Sequence, residues 1–197
     1  GVVRPQVGFL EQVRELCTQH GAVLIFDEVI TGFRLALGGA QEYFGVTPDL
    51  ACLGKGLANG YPLSAVVGRR DIMQQFEEAF FSFTFGGEAL SLAAASATLK
   101  ALQEQDVIGH LWEQGRRLQD GYNALARAYG LERITQCVGL PPRTVMTYRD
   151  DAGRESFVYK SLVQQEVIKR GVLFAGYQFV SGAHSTKDVD DTLRVYR

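Results

Sequence analysis

Short apolar runs and longer stretches of helically spaced apolar residues succeed one another along the first half of the chain. The runs at 23–26, 50–53 and 63–67 predict strands, because each is short and is bounded by glycine, proline or acidic residues. The run at 23–26 is apolar throughout and contains β-branched residues, which is typical of a parallel strand buried on both faces. Strands that alternate with helices predict an α/β sheet whose strands are parallel.

Three stretches in this half have helical spacing or composition. Apolar residues recur at helical intervals before Gly21, Asp71 is a suitable N-cap, and a third stretch is rich in alanine and leucine. The predicted helices cover residues 9–20, 71–79 and 88–102. The glycine-rich segment 32–39 predicts an irregular loop, and the aromatic-rich segment 80–85 predicts a semi-irregular one.

The second half of the chain has a different order of elements. Helices are predicted over 107–129, 157–170 and from about 185 onward, and strands over 131–138, 144–148 and 172–174. We therefore place a domain boundary near residue 105. Residues 1–105 form a first domain in this interpretation, and residues 106–197 form a small α+β domain at the C-terminal end.

The composition is that of an ordinary globular protein, with 46% hydrophobic and 21% charged residues. A formal net charge of −2 argues against a nucleic-acid partner, and the apolar runs are too short to span a membrane. The three cysteines are scattered and form no metal-ligand spacing, so we expect a reducing, cytoplasmic setting and no metal site. Because the sequence starts with glycine and a helical pattern follows almost at once, we interpret the chain as a fragment or a processed chain.

Two residues with chemical potential follow neighbouring predicted strands. Asp27 comes directly after the run at 23–26, and Lys55 lies between two glycines just after the run at 50–53. In open α/β sheets, ligands bind outside the carboxyl ends of the strands, so both side chains are expected at a ligand-binding edge. Alternatively, Asp27 caps a loop and Lys55 is a solvated surface amine.

Pyridoxal phosphate chemistry requires this pair of groups. A lysine amine holds the cofactor aldehyde as a Schiff base and then moves a proton, while a carboxylate keeps the pyridine nitrogen protonated so that the ring can accept electrons. Val29, two positions beyond Asp27, is expected on the same side and could pack flat against the ring. Ordinary core packing explains Val29 equally well.

The residues that carry this chemistry resemble a known family. The segment 26–34 (FDEVITGFR), the segment 53–56 (LGKG) and the Gly60-Tyr61-Pro62 turn are similar to the class III pyridoxal-phosphate-dependent aminotransferases. The branch around glutamate-1-semialdehyde 2,1-aminomutase is the most similar. The resemblance continues into 81–87 (FSFTFGG) and, more weakly, into Ala183-His184-Ser185.

The resemblance implies a fold and residue roles. The chain would be part of the large domain of an aspartate aminotransferase-like, fold type I transferase, followed by the small C-terminal domain. Lys55 would be the Schiff-base lysine, Asp27 the partner of the pyridine nitrogen and Val29 the ring-packing residue. Thr84 matches the threonine that reaches the cofactor phosphate of the neighbouring subunit, which implies a homodimer; otherwise Thr84 is a simple turn hydroxyl.

The chain departs from the family pattern in two places. The family's phosphate loop and ring-stacking aromatic precede the region that matches residues 1–27, so we expect the chain to correspond to a C-terminal half. Aminomutases carry a glutamate before the Ala-His motif, whereas residues 173–179 are a shorter segment without one. This difference favours a transaminase that uses a small-molecule amino donor and a carbonyl acceptor, with aminomutase activity as the alternative.

Two other hypotheses compete with an active aminotransferase. The glycines at 54, 56 and 60 follow a strand, as in a dinucleotide-binding oxidoreductase, but Tyr61-Pro62 and another strand follow where a helix should begin. A truncated chain that folds without turnover is the second alternative.

Overall fold

The computed structural model describes residues 2–197, which divide into two compact units. One unit is Pro5–Ile108; the other contains Gly109–Arg197 together with the described residues before Pro5. The first unit contains α1 (Phe9–Gln19), β1 (Ile25–Asp27), α2 (Gly39–Phe44), β2 (Leu50–Leu53), β3 (Ala65–Gly68), α3 (Arg70–Met73) and α4 (Ala89–Glu104). The helix α5 (Val107–Ala128) spans the division, and β4 (Thr135–Leu140), β5 (Arg143–Tyr148), α6 (Phe157–Lys169), β6 (Tyr177–Phe179) and α7 (Thr186–Tyr196) follow. Within residues 2–197, no helix has both the length and the apolar character that crossing a membrane requires.

The sheet of the first unit has the order β1-β2-β3, and only one of its two pairings is parallel. β1 runs parallel to β2, whereas β3 runs antiparallel to β2. The expectation of an all-parallel sheet is therefore wrong for β3. A parallel return needs a crossover of about a dozen residues or more, usually a helix. The connection from Gly54 to Ser64 contains only one turn of 3₁₀ helix, so the chain turns back beside β2.

The strand β1 is not buried on both faces, contrary to the prediction for 23–26. Leu24 is buried, but the side chain of Ile25 is 53% exposed. In the described part of the chain, β1 is an edge strand with β2 as its neighbour. The continuous apolar pattern predicts a strand correctly, but no side chains within residues 2–197 cover the second face of β1.

Residues 32–38 form an irregular loop, as predicted, but the short helix α2 that follows from Gly39 was not predicted. Its first amides donate to a distant side chain that local pattern does not reveal. The helix predicted over 71–79 is instead α3 followed by a 3₁₀ segment, Gln74–Glu77, and its N-cap is Arg69. Asp71 lies within the first turn, where it pairs with Arg69 instead of capping the helix.

The second unit is built on a three-stranded antiparallel sheet of order β4-β5-β6. The predicted pair of strands around the Pro141-Pro142 turn is confirmed, but the strand predicted at 172–174 is wrong, because the sheet contact is made by β6 instead. α7 begins with a capping box between Ser185 and Asp188. The core of this unit contains Tyr122, Cys137, Met146, Tyr148, Val167 and Phe174.

The buried carboxylate of Asp49 links the strands of the first unit through hydrogen bonds. Asp49 is 5% exposed and accepts a hydrogen bond from the backbone N–H of Leu24 at 2.7 Å. The side chains of Arg14 and Arg69 donate to its two oxygens at 2.8 and 2.9 Å. The Leu24 amide, followed by the two guanidinium groups, holds the pKa of Asp49 far below its ordinary value. Asp49 thus connects α1 and the residues that flank β1 and β3 at the start of β2.

We expect Asp49→Asn to lower the free energy of unfolding because it leaves two arginines without their shared carboxylate. The folded-state pKa is lowered, so the stabilisation by Asp49 is complete well above the ordinary value of 3.8 and is lost as the pH falls below that value. Chemical denaturation at several pH values between 7 and 3 should show the difference between the wild type and the variant shrinking towards pH 3.

Asp71→Asn is the matched control, because Asp71 pairs with the same Arg69 but its side chain is 63% exposed. Exposed ion pairs contribute little to stability, so its effect at pH 7 should be the smaller of the two. Equal effects of the two substitutions, or a difference for Asp49→Asn that grows towards pH 3, would contradict the role given to Asp49.

Candidate functional site

Asp27 and Lys55 lie at the same edge of the first unit's sheet. Asp27 is the last residue of β1 and pairs in register with Cys52 of the parallel strand β2, and Lys55 follows Cys52 by three residues. Neighbouring parallel strands lie about 4.8 Å apart, so Asp27 and Cys52 are adjacent across the sheet. Asp27 and Lys55 are both exposed. The carboxyl ends of two parallel strands therefore present an acid and an amine at one edge of the sheet.

The backbone at Lys55 adopts an uncommon conformation. Its φ is 44°, in the left-handed region that residues other than glycine seldom occupy. Lys55 begins a single 3₁₀ turn, Lys55–Leu57, and the residues that follow it, Leu57 and Ala58, are buried against Ala95 of α4. Lys55 itself is exposed and is not part of this buried cluster.

The residues that follow β1 are fixed by short contacts. One carboxylate oxygen of Asp27 accepts a hydrogen bond from the backbone N–H of Val29 at 3.1 Å. Val29 is half-buried, and a Cβ built on Gly54 would lie 3.5 Å from its Cγ1 atom, an ordinary contact distance. Val29 therefore lies beside the residue that immediately precedes Lys55.

Glu28 was not singled out from the sequence, although it lies between two candidate residues. It is 1% exposed, and its carboxylate accepts hydrogen bonds from the first amides of α2, Ala40 N–H and Gln41 N–H, at 2.7 and 2.8 Å. The Thr31 hydroxyl donates to the same group at 2.7 Å. The period of two along a strand could have revealed this arrangement, because adjacent acidic residues must point to opposite faces.

Thr84 lies in an exposed turn over residues 84–87 that precedes α4. The aromatic side chains around it are also exposed, with Phe80 at 96% and Phe85 at 69%. Glu88 follows and caps α4 by accepting hydrogen bonds from the amides of Leu90 and Ser91, and the Ser91 contacts lower its pKa. The structure places Asp27, Val29 and Lys55 at one edge of the sheet and Thr84 in a separate turn, and the roles of all four residues stay predictions.

The segment without the aminomutase glutamate lies in the second unit. Gln178 of β6 is engaged internally: its amide oxygen accepts a hydrogen bond from the Thr144 hydroxyl at 2.8 Å, and its amide nitrogen donates to the Tyr196 hydroxyl at 3.2 Å. Tyr177 beside it is 53% exposed. No group of three or more histidine, cysteine or acidic side chains suited to a metal ion occurs among the residues described here.

Comparisons with known proteins identify relatives along almost the whole chain. Glutamate-1-semialdehyde 2,1-aminomutase of Syntrophobacter fumaroxidans is 44% identical over 206 residues, covering 98% of this chain and 47% of that protein. The aminomutase of Thermomicrobium roseum is 40% identical and is covered to 49%. The chain thus spans about half the length of the curated relatives it matches.

Solved structures of similar fold are transaminases and related proteins. The structure of the pyridoxal-phosphate form of the FumI protein of Sphingopyxis sp. MTA144 matches with a TM-score of 0.90 and 31% identity over 98% of this chain and 46% of that one. A β-phenylalanine aminotransferase of Variovorax paradoxus matches with a TM-score of 0.88 and 27% identity, with coverage of 99% and 48%. The predicted fold class is confirmed by these matches.

The family profile of the class-III aminotransferases matches residues 1–172, which is most of the chain. The resemblance stated from the residues around Asp27 and Lys55 is therefore confirmed at the level of the family. The chain belongs to the class-III aminotransferases.

Proposed function

We propose that the protein is a pyridoxal-phosphate-dependent transaminase that moves an amino group between a small-molecule amine or amino acid and a carbonyl acceptor. The observation that carries the proposal is the parallel register of β1 and β2, which puts Asp27 and Lys55 at one edge of the sheet. Family membership supports the same chemistry. In this proposal, residues 1–105 are part of the cofactor-binding large domain and residues 106–197 are the small domain. The three free thiols support a cytoplasmic setting.

The residues present at this edge fit the cofactor. A primary amine and a carboxylate are both exposed at neighbouring strand ends, which suits the two opposite ends of one small ring. Val29 offers a half-buried apolar surface next to Gly54, where a flat ring can pack. The donor set is thus a carbonyl-reactive amine, an anion for a protonated nitrogen, and an apolar wall.

Each residue has a separate task in this proposal. When bound, pyridoxal phosphate supplies an aldehyde and an electron-accepting ring. Lys55 Nζ would hold the cofactor through its aldehyde, with loss of water, and once free would take up a proton from the substrate carbon. An Asp27 oxygen would accept a hydrogen bond from the protonated pyridine nitrogen, and Val29 would offer an apolar surface to the ring.

Aminomutase activity is the second candidate, because the relatives at 44% and 40% identity are named glutamate-1-semialdehyde 2,1-aminomutases. The shorter segment at residues 173–179 supports the transaminase, since the glutamate expected there for an aminomutase is absent. Incubation with glutamate-1-semialdehyde alone separates the two. An aminomutase isomerises it without a second substrate, whereas a transaminase turns over only when a separate amino donor and acceptor are supplied.

We expect Lys55→Ala to abolish covalent retention of the cofactor and to reduce turnover by roughly 10²–10⁴-fold, the usual contribution of a general acid-base group. The measurement is peptide mass spectrometry after borohydride reduction, which should find the cofactor on Lys55 in the wild type. Lys100→Ala is the control, because the Lys100 side chain is 72% exposed on α4. An adduct found on another lysine would overturn the assignment.

We expect Asp27→Asn to leave cofactor attachment at Lys55 intact while turnover falls by about 10²-fold, because the pyridine nitrogen loses its charge partner. Cofactor attachment is measured by the same mass spectrometry. Turnover is measured after rapid mixing, as the rate at which the amino donor is consumed. Asp71→Asn serves as the control at an exposed position. Nearly normal turnover in Asp27→Asn would contradict the role of Asp27.

We further propose a homodimer in which Thr84 contacts the cofactor phosphate bound by the neighbouring subunit; its exposed turn supports this arrangement. Thr84→Val removes the hydroxyl but keeps the shape, so we expect cofactor affinity to fall about tenfold or more, as for a hydrogen bond to a charged group. Ser82→Ala, at a nearby exposed hydroxyl, is the control.

Mixed dimers test whether Thr84 acts across the interface. A hybrid of one Lys55→Ala subunit and one Thr84→Val subunit contains one site with both residues intact only if Thr84 acts on the other subunit. Co-refolding the two variants should then restore a fraction of sites with wild-type affinity. If mixing restores none, or if light scattering finds an active monomer, Thr84 does not act in this way.

A further inference from the structure

The carboxylate of Glu28 is buried next to the candidate site and has an unusual set of partners. Glu28 is 1% exposed. Its carboxylate accepts hydrogen bonds from the loop that follows β1 and from the first residues of α2. Thr31 Oγ1 and the Ala40 amide donate to one oxygen, and the amide and side chain of Gln41 donate to the other, at distances of 2.7–3.4 Å. Both oxygens therefore act only as acceptors.

This pattern of partners requires a carboxylate at position 28. Burying an ionised carboxylate is unfavourable unless hydrogen bonds replace its water, and two backbone amides at the N-terminus of α2 do so here. A glutamine would fill the same volume, but its NH₂ group would face an N–H donor and accept nothing. Glutamine is therefore a specific probe of the interaction.

The backbone is shaped to enclose this carboxylate. Gly39 has a φ of +80°, and a Cβ added there would lie 2.5 Å from Glu28 Oε2. A Cβ added at Gly32 would lie 2.8 Å from the carbonyl oxygen of Glu28. Side chains at either position would displace Glu28, so the loop between β1 and α2 closes tightly around this residue.

Enclosure of Glu28 fixes the two candidate residues beside it. The Glu28 amide continues the ladder by donating to the Cys52 carbonyl at 2.9 Å, so the residue is held through both its backbone and its side chain. Because consecutive strand residues point to opposite faces, holding Glu28 in the interior directs Asp27 outward. Val29, which donates its N–H to Asp27 and lies beside Gly54, is fixed from the other side.

We infer that Glu28 is a positioning residue that holds the Asp27 carboxylate in place against the pyridine nitrogen of the cofactor. The inference rests on the proposed function, since it takes the role of Asp27 from there. Glu28 itself contacts neither cofactor nor substrate; it acts through the backbone of residues 27–29, which its bonds to α2 hold at the end of β1. Loss of these bonds should weaken specifically the contact that Asp27 makes.

The test compares binding of pyridoxal phosphate with binding of its analogue in which carbon replaces the ring nitrogen. The cofactor-free form of the whole encoded protein is titrated with each compound. The ratio of the two Kd values then reports the contact at the ring nitrogen alone. We expect Glu28→Gln to reduce the wild-type preference by about tenfold, the size of effect that outer hydrogen-bond partners have at metal-ligating residues. General loosening of the fold would weaken both compounds equally.

Two further variants distinguish failure of the role proposed for Asp27 from failure of the role inferred for Glu28. Asp27→Asn should abolish the preference, and Asp27→Asn combined with Glu28→Gln should not reduce it further, because both act on one contact. If the wild type shows no preference, the role proposed for Asp27 fails and the inference fails with it. If the wild type and Asp27→Asn behave as expected but Glu28→Gln keeps the preference, only the inference is overturned.

Glu42→Gln is the matched control, because Glu42 is an exposed carboxylate on the same helix that accepts a hydrogen bond from the Gly38 amide. It should leave the ratio unchanged, and an equal loss would overturn the special role of Glu28. Should Glu28→Gln not fold, as judged by circular dichroism, Thr31→Val removes one donor and keeps the rest. A two- to threefold smaller preference in Thr31→Val is expected, and an unchanged one would overturn the inference.

Discussion

The parallel pairing of β1 with β2 is the constraint on which the rest of the candidate site depends. It sets Asp27 opposite Cys52, so that the residues after each strand emerge at one edge. Asp49 supports this pairing from the opposite end, where it joins the amide of Leu24 to two arginines. Because the side-chain period of a strand is two, a slip of one residue would turn Asp27 inward and Glu28 outward. The acid and the amine thus depend on register as well as on residue type.

The sequence was most informative where chemistry and local pattern coincide. The strand β2, the helix α1 and the start of α7 near residue 185 could all be predicted from short-range signals, because a few neighbouring residues determine them. The same signals placed Asp27 and Lys55 at strand ends. Family membership followed from the residues around them and is confirmed by a profile match over residues 1–172.

The features that the sequence pattern did not predict depend on contacts between residues that are far apart in the chain. The helix α2 is stabilised by Glu28, whose carboxylate lies twelve and thirteen residues before the amides it binds. The antiparallel direction of β3 follows from the length and content of the preceding connection, and Ile25 is exposed because no side chain within residues 2–197 covers its face of the sheet. Contacts between distant residues leave no local signature in the sequence, although the alternation of side chains along β1 could have indicated that Glu28 faces the interior.

The left-handed backbone at Lys55 means that, in the proposed function, the residue that supplies the reactive amine is also unfavourable for folding. A residue with a side chain in that region costs about 1–2 kcal/mol relative to the right-handed alternative, a cost that glycine avoids. Selection for thermal stability alone would therefore favour Lys55→Gly, because this substitution removes the backbone strain. The same substitution also removes the amine. If Lys55 has the proposed role, selection for stability must be combined with selection for activity.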